Sequence, residues 1–184
     1  MICPTCLMKH KILELQSPTV HTEGLIIFIR SDYMTTLTVE EHISVVTFGS
    51  IPTEKENEII LSIFNSAAKR NICIDMISKA YVTTDYTAIA FSLSDEDIPA
   101  LISAVTALKL NRAPMISCGH IKLMIKGEEM NCGTGYALKF MDSMKKAGAT
   151  PLLITTAVDE ISAVVRQSES VSAEEMLKTE FGIK

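Results

Sequence analysis

Few residues in this chain combine a reactive type with a suggestive spacing. The first group is Gly133-Thr134-Gly135, which falls where an apolar run gives way to a helical stripe. Backbone N–H groups at such a junction, with the positive end of the helix dipole behind them, favour a carboxylate. Glycines also let a ligand come close to the backbone. The plainer reading is an ordinary tight turn. Asp75 sits in the apolar run ICIDM, where a carboxylate must be paired or hydrogen-bonded. It is a candidate partner for a ligand's ammonium group and equally a candidate structural contact to a neighbouring strand or domain. Thr155 and Thr156 offer adjacent hydroxyls as ligand donors, although Thr is also a common strand residue.

Cys3 and Cys6 form a C-P-x-C run, with His10 and His21 downstream. A zinc site needs four ligands at workable spacing, and one C-x-x-C supplies half of them. A loose N-terminal tail is the expectation, and no metal or cofactor is assigned. Cys73, Cys118 and Cys132 read as small buried apolar residues. The chain has only four His residues. His42 and His120 read as boundary residues ahead of strands, and no Ser/His/Asp arrangement is suggested.

These groups sit in a chain of 184 residues with 47% apolar content, enough to bury a core in one ordinary domain or two small ones. The formal net charge is -5 with no run of Lys or Arg, so a nucleic-acid partner is not expected. No apolar run approaches the ~20 residues that span a bilayer. The longest, Leu25 to Ile29, has strand length, and the N-terminus carries no signal-peptide core. No membrane association is expected. Five cysteines without an export signal read as reduced thiols, which makes the cytoplasm the expected location.

The order of elements is more informative. Residues 43–49 are rich in β-branched residues and end in Gly49, the pattern of a strand. A polar turn with Pro52 follows, then Ile59, Ile60, Ile63, Phe64 and Ala67 at helical spacing. ICIDMISKAYV and TAIAFSL read as two strands, Ser94 with Asp95 and Glu96 as a helix N-cap, and residues 113–118 as a fourth strand. The fold class is therefore α+β, a ferredoxin-like βαββαβ unit. One face of its sheet carries two helices and the other needs a cover. The pattern then repeats. HIKLMIKG reads as a strand, and Ala137, Phe140, Met141 and Met144 as a helical stripe. TPLLITTA and EISAVVR read as strands, and Ser172 as the cap of a last helix with Met176, Leu177 and Phe181 on its apolar face. Phe64, Ile77, Leu101 and Val105 fall 76 positions ahead of Phe140, Leu153, Leu177 and Phe181. The second copy lacks a fourth strand. The N-terminal run LIIFIR at 25–30 is expected to supply it and close a bare edge.

With the repeat in place, a family resemblance emerges. NICIDM at 71–76 resembles the opening of the second strand in the first ACT domain of aspartokinases. IKGEEM at 125–130, Gly135 at the next helix start and ITT at 154–156 resemble their second ACT domain. KIL at 11–13 and IIFIRS at 26–31 are similar to the last strand and connection of the amino-acid kinase domain. The resemblance implies two tandem ACT domains, 43–119 and 120–184. Residues 1–42 would be the tail of a kinase domain that adds a strand to the second ACT unit.

The resemblance also implies a regulatory module that binds a small amino acid, of the lysine or threonine class, at a seam between ACT units. It implies a homodimer and a kinase partner in a separate subunit. The effector-binding set would be Asp75, Lys79, Met130, Asn131, Gly133, Gly135, Thr155 and Thr156. Catalysis is not expected, because neither a Lys-Phe-Gly-Gly start nor a G-x-x-x-x-G-K-[ST] loop occurs. Two departures bear on the first unit. PTEKENE replaces a shorter Asp-x-Pro-Gly turn and puts Glu58 where Gly is expected, and Lys79 stands where relatives place a Gln. Two alternatives stay open: an interaction module without a ligand, or the remnant of a full-length aspartokinase. An enzyme on the same scaffold would need convergent titratable groups beyond Asp75.

Overall fold

The computed structural model describes residues 35–110, 113–131 and 133–183. The N-terminal calls on Cys3, Cys6, His10, His21 and residues 11–13 and 25–31 lie outside the described residues, as does Cys132. The elements are β1 (Thr36–Pro52), α1 (Glu56–Ala68), β2 (Ile77–Tyr81), β3 (Tyr86–Ser94) and α2 (Ile98–Thr106). They continue with β4 (Met115–Lys126), α3 (Tyr136–Lys146), β5 (Leu153–Thr156), β6 (Glu160–Arg166) and α4 (Gln167–Phe181). The strands form one antiparallel sheet in the order β2-β3-β1-β4-β6-β5.

The two central strands are long because each serves both halves of the chain. In β1, Ile43–Phe48 pairs with β3, whereas Thr36–Glu40 pairs only with Lys122–Lys126 of β4. In β4, Met115–Ser117 pairs with Val45–Thr47, and His120–Lys126 pairs with β6. The strand beside β4 in the second half is therefore Thr36–Glu40. The register shifts on β1 between Glu40 and Ile43, where His42 has φ 60, and β4 has Gly119 at φ 72. Bulges bend a strand and raise its twist, so each long strand turns from one half into the other. This corrects two expectations. His42 and His120 lie inside strands, and the fourth strand of the first repeat runs without a break into the first strand of the second.

Helical spacing places the apolar faces. Ile63 and Ala67 of α1 and Leu101 and Val105 of α2 are buried against Val46 and Phe91. Phe140 and Met144 of α3 and Leu177 of α4 are buried against Leu123 and Ile125. Each of these larger apolar side chains contributes roughly 1.5–3 kcal/mol by leaving water. A third cluster joins Val45, Met76, Leu153 and Val164, drawn from both halves. β2 and β5 stand at opposite ends of the strand order yet approach each other. The sheet thus curls back on itself, and its helix-free face covers itself.

Three further expectations are corrected. The second strand is shorter than the apolar run that suggested it. Residues 72–76 are irregular, and pairing to β3 begins with the Asp75 N–H donating to the Ser92 carbonyl at 3.1 Å. Cys73 and Cys118 are exposed, because Ile72 and Met76 take the inward positions around Cys73 and Cys118 flanks the bend at Gly119. The last helix begins at Gln167, straight out of β6, and Ser172 lies inside it. The Ser172 hydroxyl donates to the Glu169 and Ala147 carbonyls, and so ties the helix interior to the end of α3 instead of capping a terminus.

Lys122 is the charged exception on the self-covered face. Its side chain is 7% exposed, and its Nζ donates to Asp75 Oδ2 at 2.6 Å and lies 3.4 Å from Glu40 Oε2. Burial works against its charge, but the Asp75 carboxylate, with Glu40 behind it, outweighs burial and raises the pKa above the ordinary lysine value. An unpaired buried ammonium is costly. Asp75→Ala is expected to cost about 1–3 kcal/mol in chemical denaturation, limited by the remaining Glu40 partner. Adding Lys122→Met to Asp75→Ala should recover most of that loss. If the double variant is no more stable than Asp75→Ala, this account of the triad fails.

Candidate functional site

The two strand-to-helix junctions, one per half, differ in what fills them. In the second half, β4 ends at Lys126, and a short turn, Glu128–Asn131, leads to α3. Gly133 donates its N–H to the Glu129 carbonyl at 3.2 Å. A Cβ on Gly133 would lie 2.2 Å from Cε2 of Tyr136, so the tyrosine ring covers this glycine. The Glu129 carboxylate accepts from the Thr35 hydroxyl. Burial, with the Glu129 carboxylate second, pushes the Tyr136 phenol up. Gly135 holds φ 89 at the N-cap of α3, a left-handed conformation that other residues adopt only at a cost. Met130 is buried in the second core cluster, and Asn131 is half-buried beside it in the chain.

The other sequence-predicted residues lie elsewhere. Asp75 is committed to Lys122. Lys79 on β2 pairs with Glu56 Oε1 at 2.6 Å and lies 5.1 Å from the Tyr81 ring centroid. Thr155 and Thr156 are on β5, which pairs only with β6 among the described residues. Met76 and Leu153, just ahead of Lys79 and Thr155, share the third cluster. The structure therefore brings β2 and β5 together at the middle of the molecule and leaves Met130, Asn131, Gly133 and Gly135 as a separate group.

In the first half, the junction carries a bulge between Phe48 and Ile51, with Ser50 at φ 54. The Thr53 N–H donates to the Asp85 carbonyl at 2.9 Å, which pins the turn to the β2–β3 hairpin. Between the bulge, the start of α1 and the α2–β4 connection lies a cavity of about 410 Å3. Gly49, Ser50, Glu54, Lys55, Tyr86 and Leu110 are among its walls. Sequence reasoning marked this turn through its departures from the family but not the walls that meet it. Pro52 and the helical spacing mark the junction, but only the fold brings Tyr86 and Leu110 to it. Among the described residues no group of three or more His, Cys, Asp or Glu is placed to hold a metal ion. Among the described residues no helix is long and apolar enough to cross a membrane.

Comparison with known proteins fits this geometry. No family model matches the sequence. The chain is 26% identical over 144 residues to an aspartokinase of Geobacillus stearothermophilus, an alignment that covers 78% of this chain and 35% of that protein. It superposes on the ligand-free regulatory subunit of aspartate kinase from Thermus thermophilus with a TM-score of 0.74, at 16% identity, covering 81% of this chain and 98% of that one. The fold is that of the aspartokinase regulatory region. E. coli aspartokinase III, solved in complex with lysine and aspartate, matches with a TM-score of 0.59 at 13% identity, covering 81% of this chain and 33% of that one. The chain thus spans about a third of the aspartokinases it matches here. The aspartokinase resemblance extends to the six-stranded antiparallel sheet with its helices.

Within this aspartokinase-like frame, the Glu56–Lys79 pair links the start of α1 to the edge strand β2. Glu56 is largely covered, with its side chain 13% exposed. The Lys79 ammonium lowers the Glu56 pKa, and Glu56 raises that of Lys79. The signs fix the pH window. A depressed carboxylate contributes stability above its unfolded pKa and loses it as pH falls through the folded value, while a raised lysine loses its contribution only as pH climbs through its own folded value. Lys79→Met is therefore expected to lower the melting temperature near neutral pH, with the gap to wild type closing in acid. A gap that stays constant down the acid limb would remove the pair's assigned role.

Proposed function

We propose that this chain is the amino-acid-sensing regulatory part of an aspartokinase-type system in the cytoplasm. Residues 43–119 and 120–184 would act as two ACT units, with residues 1–42 lending a strand to the second. The observation that carries the reading is the match to nearly the whole of a regulatory subunit. In this reading the chain is not itself catalytic. Its effector is a small amino acid of the lysine or threonine class, and its target is a kinase part. The lysine complex of the E. coli relative supports the choice of lysine.

Homodimerisation fits the exposed edges. Among the described residues β2 and β5 each pair on one side only, and Ile77, Tyr81 and Ile154 are exposed along them. Unpaired strand edges invite another chain. A ligand held between two copies stabilises the dimer by mass action, by about 2.7 kcal/mol at a hundredfold excess over Kd. It shifts the kinase only by its differential affinity for two states.

A second reading has its own support. The turn at Gly133 is covered by Tyr136, and Lys79 and Asp75 are both in ion pairs. A dimerisation module with no ligand would look the same. Calorimetric titration with lysine and with threonine, paired with sedimentation, separates the two. The proposal expects saturable heat from at least one amino acid and a shift toward dimer. A dimer with flat titrations would leave only the second reading, and a monomer with flat titrations would leave neither.

A further inference from the structure

His120 stands directly after Gly119, at the bend where β4 passes from the first half into the second. It is 7% exposed. Its Nε2 lies 2.7 Å from the Ser117 hydroxyl oxygen. Its Nδ1 is buried with no hydrogen-bond partner among the described residues. A buried polar atom without a partner costs stability. The two observations together fix the neutral ring. A proton on Nδ1 would be a buried donor with nothing to accept it, so the proton sits on Nε2 and is donated to Ser117. With Nδ1 unpartnered, Ser117, His120 and Asp95 do not form a relay of the serine-hydrolase kind.

Asp95, in the turn ahead of α2, holds the same bend from the first half. Its two oxygens accept the Gly119 N–H, each at 3.2 Å, and Oδ1 also accepts the hydroxyl of the buried Ser44. His42, at the register shift of β1, has Nδ1 4.0 Å from Asp95 Oδ2. One carboxylate thus meets both long strands where they turn. The other charges around His120 are paired. Arg166 of β6 stands opposite it in register, with its guanidinium on Glu169 of α4 at 2.9 Å. Lys122, two positions along β4, is occupied by Asp75 and Glu40. Burial lowers the His120 pKa, the Asp95 charge pulls it up, and Arg166 pushes it down; the net direction is below the ordinary histidine value.

We propose that His120 is an acid-sensitive latch between the two halves: a proton taken up at the buried Nδ1 draws the Asp95 carboxylate away from Gly119 and Ser44 and releases the bend. The new cation is costly to bury unpaired, and Asp95 is the carboxylate beside it. Asp95 does not reach Nδ1 in the neutral arrangement. Ring or carboxylate must therefore move for them to meet, and either movement breaks bonds at Ser117 or at Gly119. The unfolded chain takes the proton before the folded one. Stability is therefore full above the ordinary histidine value and is lost as pH falls below it through the folded value. The latch needs no effector, and it does not depend on which amino acid, if any, the chain binds.

The test is two-dimensional NMR of the full chain from about pH 8 to about pH 5.5, a range in which ordinary carboxylates stay ionised. The His120 ring is expected to titrate below the ordinary histidine value, and the Gly119 and Ser117 amides to move with the same midpoint. The melting temperature should fall over the same range. His120→Gln should lose the amide response and at least about half of that fall, and His42→Asn should keep both. A Gly119 amide that stays fixed while His120 titrates overturns the proposal, as does a ring that titrates at or above the ordinary value. So does a response that His42→Asn abolishes, or a fall in melting temperature that His120→Gln leaves intact. If His120→Gln does not fold, the wild-type titration and His42→Asn decide the matter without it.

Discussion

The pairing of β1 with β4 is the constraint on which the molecule depends. A four-stranded sheet is required on each side to bury two helices. The first half supplies Ile43–Pro52, β2, β3 and Met115–Ser117. The second supplies His120–Lys126, β5 and β6, and borrows Thr36–Glu40. The second half does not close without a strand that lies ahead of the first half in chain order. Contacts this distant in sequence carry a loop-closure cost before they return any burial. The two halves are therefore expected to form together, and a displacement in one is carried into the other along a continuous backbone.

On that scaffold the self-covered face needs only modest apolar area, because the third cluster is small. Lys122 then contributes direction as much as stability. Its ammonium reaches one carboxylate on the shared strand and another ahead of β2. A slip of one residue in β4 would turn Lys122 into the second helix core and bring a neighbour such as Leu123 to the carboxylates. Registry is the best-attested use of buried charge, and here it fixes the pairing that both halves share.

Much of the architecture was legible from periodicity. The helical faces at Ile63 and Leu101, and at Phe140 and Leu177, are buried as their spacing implied, and the offset of 76 carries β2 onto β5. Boundaries were less legible. The break between the repeats vanished because Gly119 bends a strand here and does not end it. The last helix was placed late because Ser172 has the residue type of a cap but hydrogen-bonds inside the helix. Cys73 and Cys118 were misassigned because burial of a small thiol depends on which way an irregular segment turns, and composition carries no such signal. The candidate site was legible as a pair of strand–helix junctions, not as a set of side chains. Leu110 and Tyr86 reach the first junction from 61 and 37 positions beyond Gly49, counted along the sequence.

The repeat also shows why two junctions on one scaffold have different chemistry. In the second half the chain fills its own junction: the Gly133 N–H is taken by Glu129, and Tyr136 lies over the glycine. Tyr136 reaches Phe181 at 6.5 Å between ring centroids, so the ring that covers the turn also joins α3 to α4. Opening that turn means giving up an aromatic contact between the two helices. In the first half the residue 76 positions before Tyr136 is Ile60, which packs against the first core cluster. Phe64, the counterpart of the buried Phe140, packs against Phe91 at 5.8 Å between ring centroids. The ring that closes one junction is thus replaced at the other by an aliphatic side chain that packs on the core. The two junctions match in the repeat: a ring of the following helix covers the second, and the first borders a cavity.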